Sequence, residues 1–349
     1  KLQATDDISI INEEANVGVG ISADIIATNI TLQADNNNVV VAGGKLTATE
    51  KVSLDGLDVI VSRGNINAAT AELVAADDIS LTSGEIHAAT ASFNAQGTSD
   101  NENDGYSSIT EADRFVLDAA LVKAKAKNTI SLGSESNQLN NVLVANTIGD
   151  VTIYNGNTSD KALDIAVLND VDQGAKINGS LTVHNLSKGS ANEVHINQRL
   201  EATGDIEIVN CEIGITISNE NALLKANNIT LQANAATVKV EQGLLEATTT
   251  ATLKGKDVSV SGGEITANTV VLTTDTVADN EIIEGNNVVI SGTGKVNATT
   301  TNVTAKGIDL SGGGITANTA NLIATEAVSE NEDFALKTRV INISANSTT

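Results

Sequence analysis

A unit of about 20 residues recurs along this chain, and it constrains the fold more than any other feature. Residues 44–62 read GKLTATEKVSLDGLDVIVS, residues 64–83 read GNINAATAELVAADDISLTS, and residue 84 opens GEIHAATASFNAQ. The pattern returns as GLLEATTTATLKGKDVSVSG from Gly243, GEITANTVVLT from Gly263, GKVNATTTNVTAKGIDLSG from Gly294 and GGITANTANLIA from Gly313. Within each unit the apolar residues fall in three alternating bursts. From Gly64 these are Ile66 and Ala68, then Ala71, Leu73 and Ala75, then Ile79 and Leu81. Alternation with period two, broken by Gly, Asn and Asp, predicts three short strands per unit. No such strand buries its face alone, but stacking each unit on the next does so. The expected fold is all-β, a single-stranded parallel β-solenoid with turns of about 20 residues and insertions at its corners.

Composition agrees. The 349 residues include no Pro, Met or Trp, two Tyr and three Phe, with 40 Asn and 39 Thr. Proline would delete a ladder donor at nearly every strand position, and the sparse aromatics leave the interior to Val, Ile, Leu and Ala. With 44 acidic residues against 20 Lys and Arg, the net charge is −24. Such a chain is repelled by phosphate backbones and anionic membrane surfaces, so nucleic-acid partners are not expected. No apolar run approaches ~18 residues, and no membrane insertion is expected. The single Cys211 excludes an internal disulfide, and no Cys/His cluster has zinc spacing. The chain opens at Lys1 without an initiator Met, as expected of a processed or excised segment of a precursor.

One continuous domain is expected over 1–349, with regular repeats in 1–133 and 223–349 and looser, longer turns in 134–222. Residues 2–10, LQATDDISI, match LVAADDISL at 73–81 almost letter for letter. In 117–132 the inward positions fall to Leu117, Ala119, Val122, Ala124, Ala126, Ile130 and Leu132. In the middle, IGDVTIYN, NGSLTVHN and TGDIEIVN each end in Asn (Asn155, Asn185, Asn210); these either form an amide ladder or end three separate turns. With strands ~4.8 Å apart, 14 or 15 turns would give a rod of roughly 70 Å.

The unit resembles the repeats of filamentous-haemagglutinin-like exoproteins, the β-helical adhesins exported by two-partner secretion. The first and last thirds of the chain carry the resemblance. It implies a right-handed parallel β-helix, a secreted or cell-surface location, and the shaft of a bacterial surface adhesin. Its partners would be glycans or proteins of a host or neighbouring cell surface or matrix. An alternative is a self-assembling extracellular filament subunit, binding copies of itself end to end, because exposed solenoid edges accept further strands. A β-helix polysaccharide lyase or hydrolase is the less favoured reading. It needs clustered acids and aromatic platforms, for which only Phe93, Tyr106, Phe115, Tyr154 and Phe334 are present. The three His residues, 87, 184 and 195, are scattered, so no catalytic residues are expected.

Three stretches interrupt the repeat after a second strand: 99–113, 275–285 and 326–337, all acidic at their tips. In the first, Asp100, Glu102 and Asp104 followed by Gly105, with Glu111 in twelfth place, track a calcium-loop pattern. Alternating oxygens, a turn glycine and a closing bidentate carboxylate are what calcium requires; Tyr106 would add its carbonyl and Ser108 a water. Against it stand Glu at the third position and strands on either side. A solvated loop tip is the competing reading, and no cofactor is otherwise required.

Overall fold

The computed structural model describes the chain except residues 15–17, 98–106, 147, 159–160, 169–175, 188–192, 275, 279–280, 284–285 and 349; for 146, 276–278 and 281–283 it describes backbone alone. The described residues are strand and turn without helix, and the chain forms a parallel β-solenoid of about 15 turns, about 21 residues each. They divide into two compact units, residues 1–158 with 168–179, and 159–167 with 180–349.

In the first unit the inward positions form columns of mostly aliphatic side chains. Val39 pairs with Val59, Val59 with Ile79, Ile79 with Ile109, Ile109 with Ile130 and Ile130 with Val151, all fully buried. Ile25, Leu46, Ile66, Ile86 and Leu117 form another column in register. Each such side chain contributes about 1.5–3 kcal/mol by leaving water. All seven inward positions expected over 117–132 are buried. Phe93 fits because its neighbour on the next turn is the small Ala124.

The second unit repeats the scheme. Leu224, Leu245, Ile265, Val296 and Ile315 stack in one column, and Ile208, Leu231, Leu253, Leu272, Val303 and Leu322 in another. Of the two alternatives for the turn-ending asparagines, Asn185 and Asn210 follow the ladder, Nδ2 of Asn185 donating to Oδ1 of Asn210 at 3.3 Å in the buried interior. In the first unit Asn155 grips the backbone of Leu139, accepting from Leu139 N at 2.9 Å and donating to Leu139 O at 3.2 Å.

The corner glycines serve two purposes. Gly84 has a φ of 112°, and a Cβ there would also collide with the Gly64 carbonyl. Gly64 lacks the positive φ, which its neighbour Arg63 adopts at 62°; a Cβ on Gly64 would strike the Val41 side chain.

Two expectations are corrected. Ile8 pairs with Ile30, which continues to Val52 and Ala71, so residues 8–12 form a second strand and do not take the place of Ile79–Leu81. The stretch 326–337 is no insertion. Val328 pairs with Ile308 as a third strand, and Phe334, paired with Gly313, already opens the next turn. The other two interruptions are real: each lies between the second and third strands of its turn, after Ala95 and after Thr273. The second contains a small antiparallel hairpin, Thr276–Ala278 with Glu281–Ile283.

Candidate functional site

Of the residues with calcium-loop spacing, Asp100, Glu102, Asp104 and Tyr106 lie outside the described residues. Glu111 is described, and it points inward. Its strand Ile109–Glu111 pairs with Ile79–Leu81, so Glu111 occupies the place that Leu81 fills one turn earlier. It is 7% exposed. Oε2 accepts from Asn137 Nδ2 at 2.7 Å and from the Ser134 amide at 3.1 Å, whereas Oε1 is buried without a partner. Burial pushes the carboxyl up to about 7, against the pull of those two hydrogen bonds.

The supporting shell is ordered by the loop between the third and first strands. Ser134 Oγ donates to Asp113 O at 3.2 Å and accepts from Ser136 N at 3.2 Å. Asn137 Oδ1 accepts the Leu117 amide at 2.9 Å, tying this corner to the preceding turn. Outside the corner lies an open groove of about 470 Å³, lined by Asp113, Gly133, Glu135, Ser136 and Tyr154. Tyr154 is half-buried, whereas Phe93, Phe115 and Phe334 are at most 7% exposed and serve the core. Among the described residues Tyr154 is thus the aromatic left to face a ligand.

Two histidine sites escaped the sequence reading. In the first unit His87 Nδ1 meets Asp118 Oδ2 at 2.9 Å and its Nε2 meets Glu85 Oε2 at 3.1 Å. Desolvation lowers its pKa, but hydrogen bonds to Asp118 and Glu85 together with their charges raise it overall. In the second unit His195 lies between Asp164, 3.6 Å from Nδ1, and Glu193, 3.1 Å from Nε2. Asp164 first and Glu193 second raise His195 to about 9, and the His195 hydrogen bond chiefly holds Glu193 down at about 2. Each ring nitrogen faces one carboxylate, so each imidazole brackets neighbouring turns, and at His195 the bracket is charged at neutral pH. Asp118 is 31 positions from His87, and aligning outward positions across the 99–113 interruption would have revealed the pair.

Among the described residues no group of three or more His, Cys, Asp or Glu could hold a metal ion, and no helix is long and apolar enough to cross a membrane. The fold defines the class of the protein, a parallel β-solenoid repeat protein. No family model, no curated protein and no solved structure matches the chain.

Proposed function

We propose that this chain is the shaft of a secreted or cell-surface adhesin of the filamentous-haemagglutinin-like kind, a right-handed β-helix that presents corner loops to glycans or proteins of another cell or matrix. The observation that carries the reading is architectural. One aliphatic column from Val39 through Val59, Ile79, Ile109 and Ile130 to Val151, and another from Leu245 through Ile265 and Val296 to Ile315, run past the two corner interruptions, so the loops after Ala95 and Thr273 leave those stacks in register. Loops on a rigid scaffold are where repeat proteins place recognition. On this reading the chain catalyses nothing. Calcium at the 100–111 loop is a proposal resting on the spacing of Asp100, Glu102, Asp104, Tyr106 and Glu111 alone.

A second reading, a subunit stacking end to end, draws on the strand Phe334–Ser344. Among the described residues it pairs on one side only, with Ile341 and Ile343 40% and 46% exposed, an edge that accepts one more turn from further chain or from another copy.

The test is adhesion of beads coated with the chain to cells or matrix lacking it. Replacing residues 276–283 or 98–106 by a short Gly/Ser link should cut retention while the melting temperature holds. Retention at the level of uncoated beads overturns the adhesive reading; retention unchanged by both replacements removes the corner loops from it.

A further inference from the structure

The outward face of the second strands in the second unit differs from every other face of that unit. From Asn228–Gln232 to Val340–Ser344 its side chains stand in three columns, in register turn after turn. Thr250, Thr269, Thr300 and Thr319 follow one another in the first column. In the middle column Asn342 donates to Asn321 and Asn321 to Asn302, each Nδ2 to Oδ1 at 2.7 Å. The third carries Lys254, the one charge on the face. From Asn228 to Ser344 no Asp or Glu stands in the three columns, in a chain with 44 of them; the patch ends at the turn before, where Glu207 pairs with Thr230 and Asp205 accepts from Asn228. The first-strand face of the same unit carries Glu246 and Glu264, and the third-strand face Asp257 and Asp309. In the first unit the second-strand face is charged as well: Asp55, crowded by Asp35 and Glu72, is one of its outward residues.

The Thr hydroxyls at 250, 252, 269, 300, 304 and 319 make no hydrogen bond among the described residues and are half-buried. The face therefore offers rows of unused donors and acceptors, and of methyl groups, on a lattice set by the ~4.8 Å strand spacing and ~3.3 Å per residue along the strand. Asn ladders beside Thr and Val, uncharged and in register, are the surface that two β-sheets use to interdigitate.

We propose that this Thr/Asn face is a lateral self-association surface, whose occupant is the same face of a second copy of the chain. Charge argues for a second copy. Two molecules each at −24 repel wherever carboxylates meet, and this patch is where they approach without such a meeting. Size sets the strength. The patch is on the order of 500 Å², so a pair buries about 1,000 Å², the lower bound for a biological interface. A self-complementary patch closes as a two-fold pair. The single pair is weak and transient, and many copies displayed on one surface would strengthen it by avidity. The face would pair in this way whether or not the chain is an adhesive shaft.

Sedimentation velocity of the intact chain from ~1 μM to ~1 mM tests it, a range that brackets affinities expected of so small an interface. The weight-average mass should climb from 35.7 kDa toward twice that value, and added salt should favour the climb by screening repulsion. Thr252→Asp with Asn302→Asp should hold the mass at one chain throughout, with the melting temperature little changed. Ser259→Asp, on the third-strand face, should associate like the parent. Mixing the Asp pair with Thr252→Lys/Asn302→Lys should restore association, which a folding defect would not. A one-chain mass for the parent at every concentration overturns the proposal, as does association unaltered by the Asp pair. Binding of a soluble neutral β-glucan that the Asp pair abolishes, with the parent at one-chain mass, assigns the face to a glycan instead.

Discussion

Glu111 makes the protein lose stability as pH rises through the range where most proteins are most stable. Its carboxyl sits in a column between Leu81 and Leu132, with one oxygen held by Asn137 and Ser134 and the other unpartnered. In the unfolded chain it titrates near 4.5, and in the folded one near 7. The folded state therefore binds the proton more tightly, so its contribution is fully present below pH 4.5 and is lost as pH rises through 7. Each tenfold difference in proton affinity is worth about 1.4 kcal/mol, so the loss totals about 3 kcal/mol. In a solenoid each turn interacts with its neighbours, so the loss falls on the turns that contain residues 79–81, 109–111 and 130–132. Hydrogen exchange reads it locally, at the Leu117 amide bonded to Asn137 and the Ser134 amide bonded to Glu111. Corrected for intrinsic rates, their protection should fall by roughly 80-fold between pH 4.5 and 7, roughly 300-fold in all from about pH 3 to about pH 9, and level off beyond. Glu111→Gln keeps an oxygen for both donors and cannot titrate, so its protection should stay flat. Equal pH dependence in the parent and in Glu111→Gln would refute the reasoning, because it would mean that Glu111 is ionised in the folded protein throughout.

His195 works in the opposite part of the scale. Raised to about 9, it stabilises fully below pH 6.5 and loses that contribution as pH rises through 9, so its ring resonances should still report the imidazolium at pH 8 while His195→Gln lacks the alkaline limb in melting. Gly84→Ala should destabilise by about 1–3 kcal/mol in denaturant melts, for its positive φ and its contact with Gly64, whereas Gly20→Ala, with open space at its Cβ, should stay within about 0.5 kcal/mol. Leu81→Asp should abolish the β-sheet circular dichroism of its turns or expose them to protease, since a buried charge costs several kcal/mol; a variant folded like the parent would mean Leu81 does not face the core. If calcium binds the 100–111 loop, chelator should lower the melting temperature of the parent and leave Asp104→Ala unmoved; identical melts with and without chelator would sink that proposal.

The core was legible because an inward position asks little of a residue beyond apolar bulk. Leu117 through Leu132 could be placed one by one, since alternation alone decides which side of the sheet each occupies. The same tolerance hid which strand was which. LQATDDISI reads like LVAADDISL, yet Ile8 stacks on Ile30, because any aliphatic column accepts an Ile and the pairing goes to the turn that is adjacent in space. Acidic letters misled at 326–337 for a related reason. Only Val328 is buried in this third strand; Glu330, in register with the inward Leu310, is exposed at the strand's end and Glu326 is exposed before it, and a strand with one buried apolar residue looks like a loop. Outward partnerships such as His87 with Asp118 depend on register across an interruption, which no local pattern encodes. Glu111 is the informative exception. In Ile109-Thr110-Glu111 a carboxylate takes the place of the leucine in Ile79-Ser80-Leu81, a break in pattern visible in the letters alone. Spacing assigned it to calcium and register assigns it to the core. A bound divalent cation would hold that carboxylate ionised, whereas the buried corner holds it protonated up to about pH 7, so one pH profile, taken with and without calcium, separates the two.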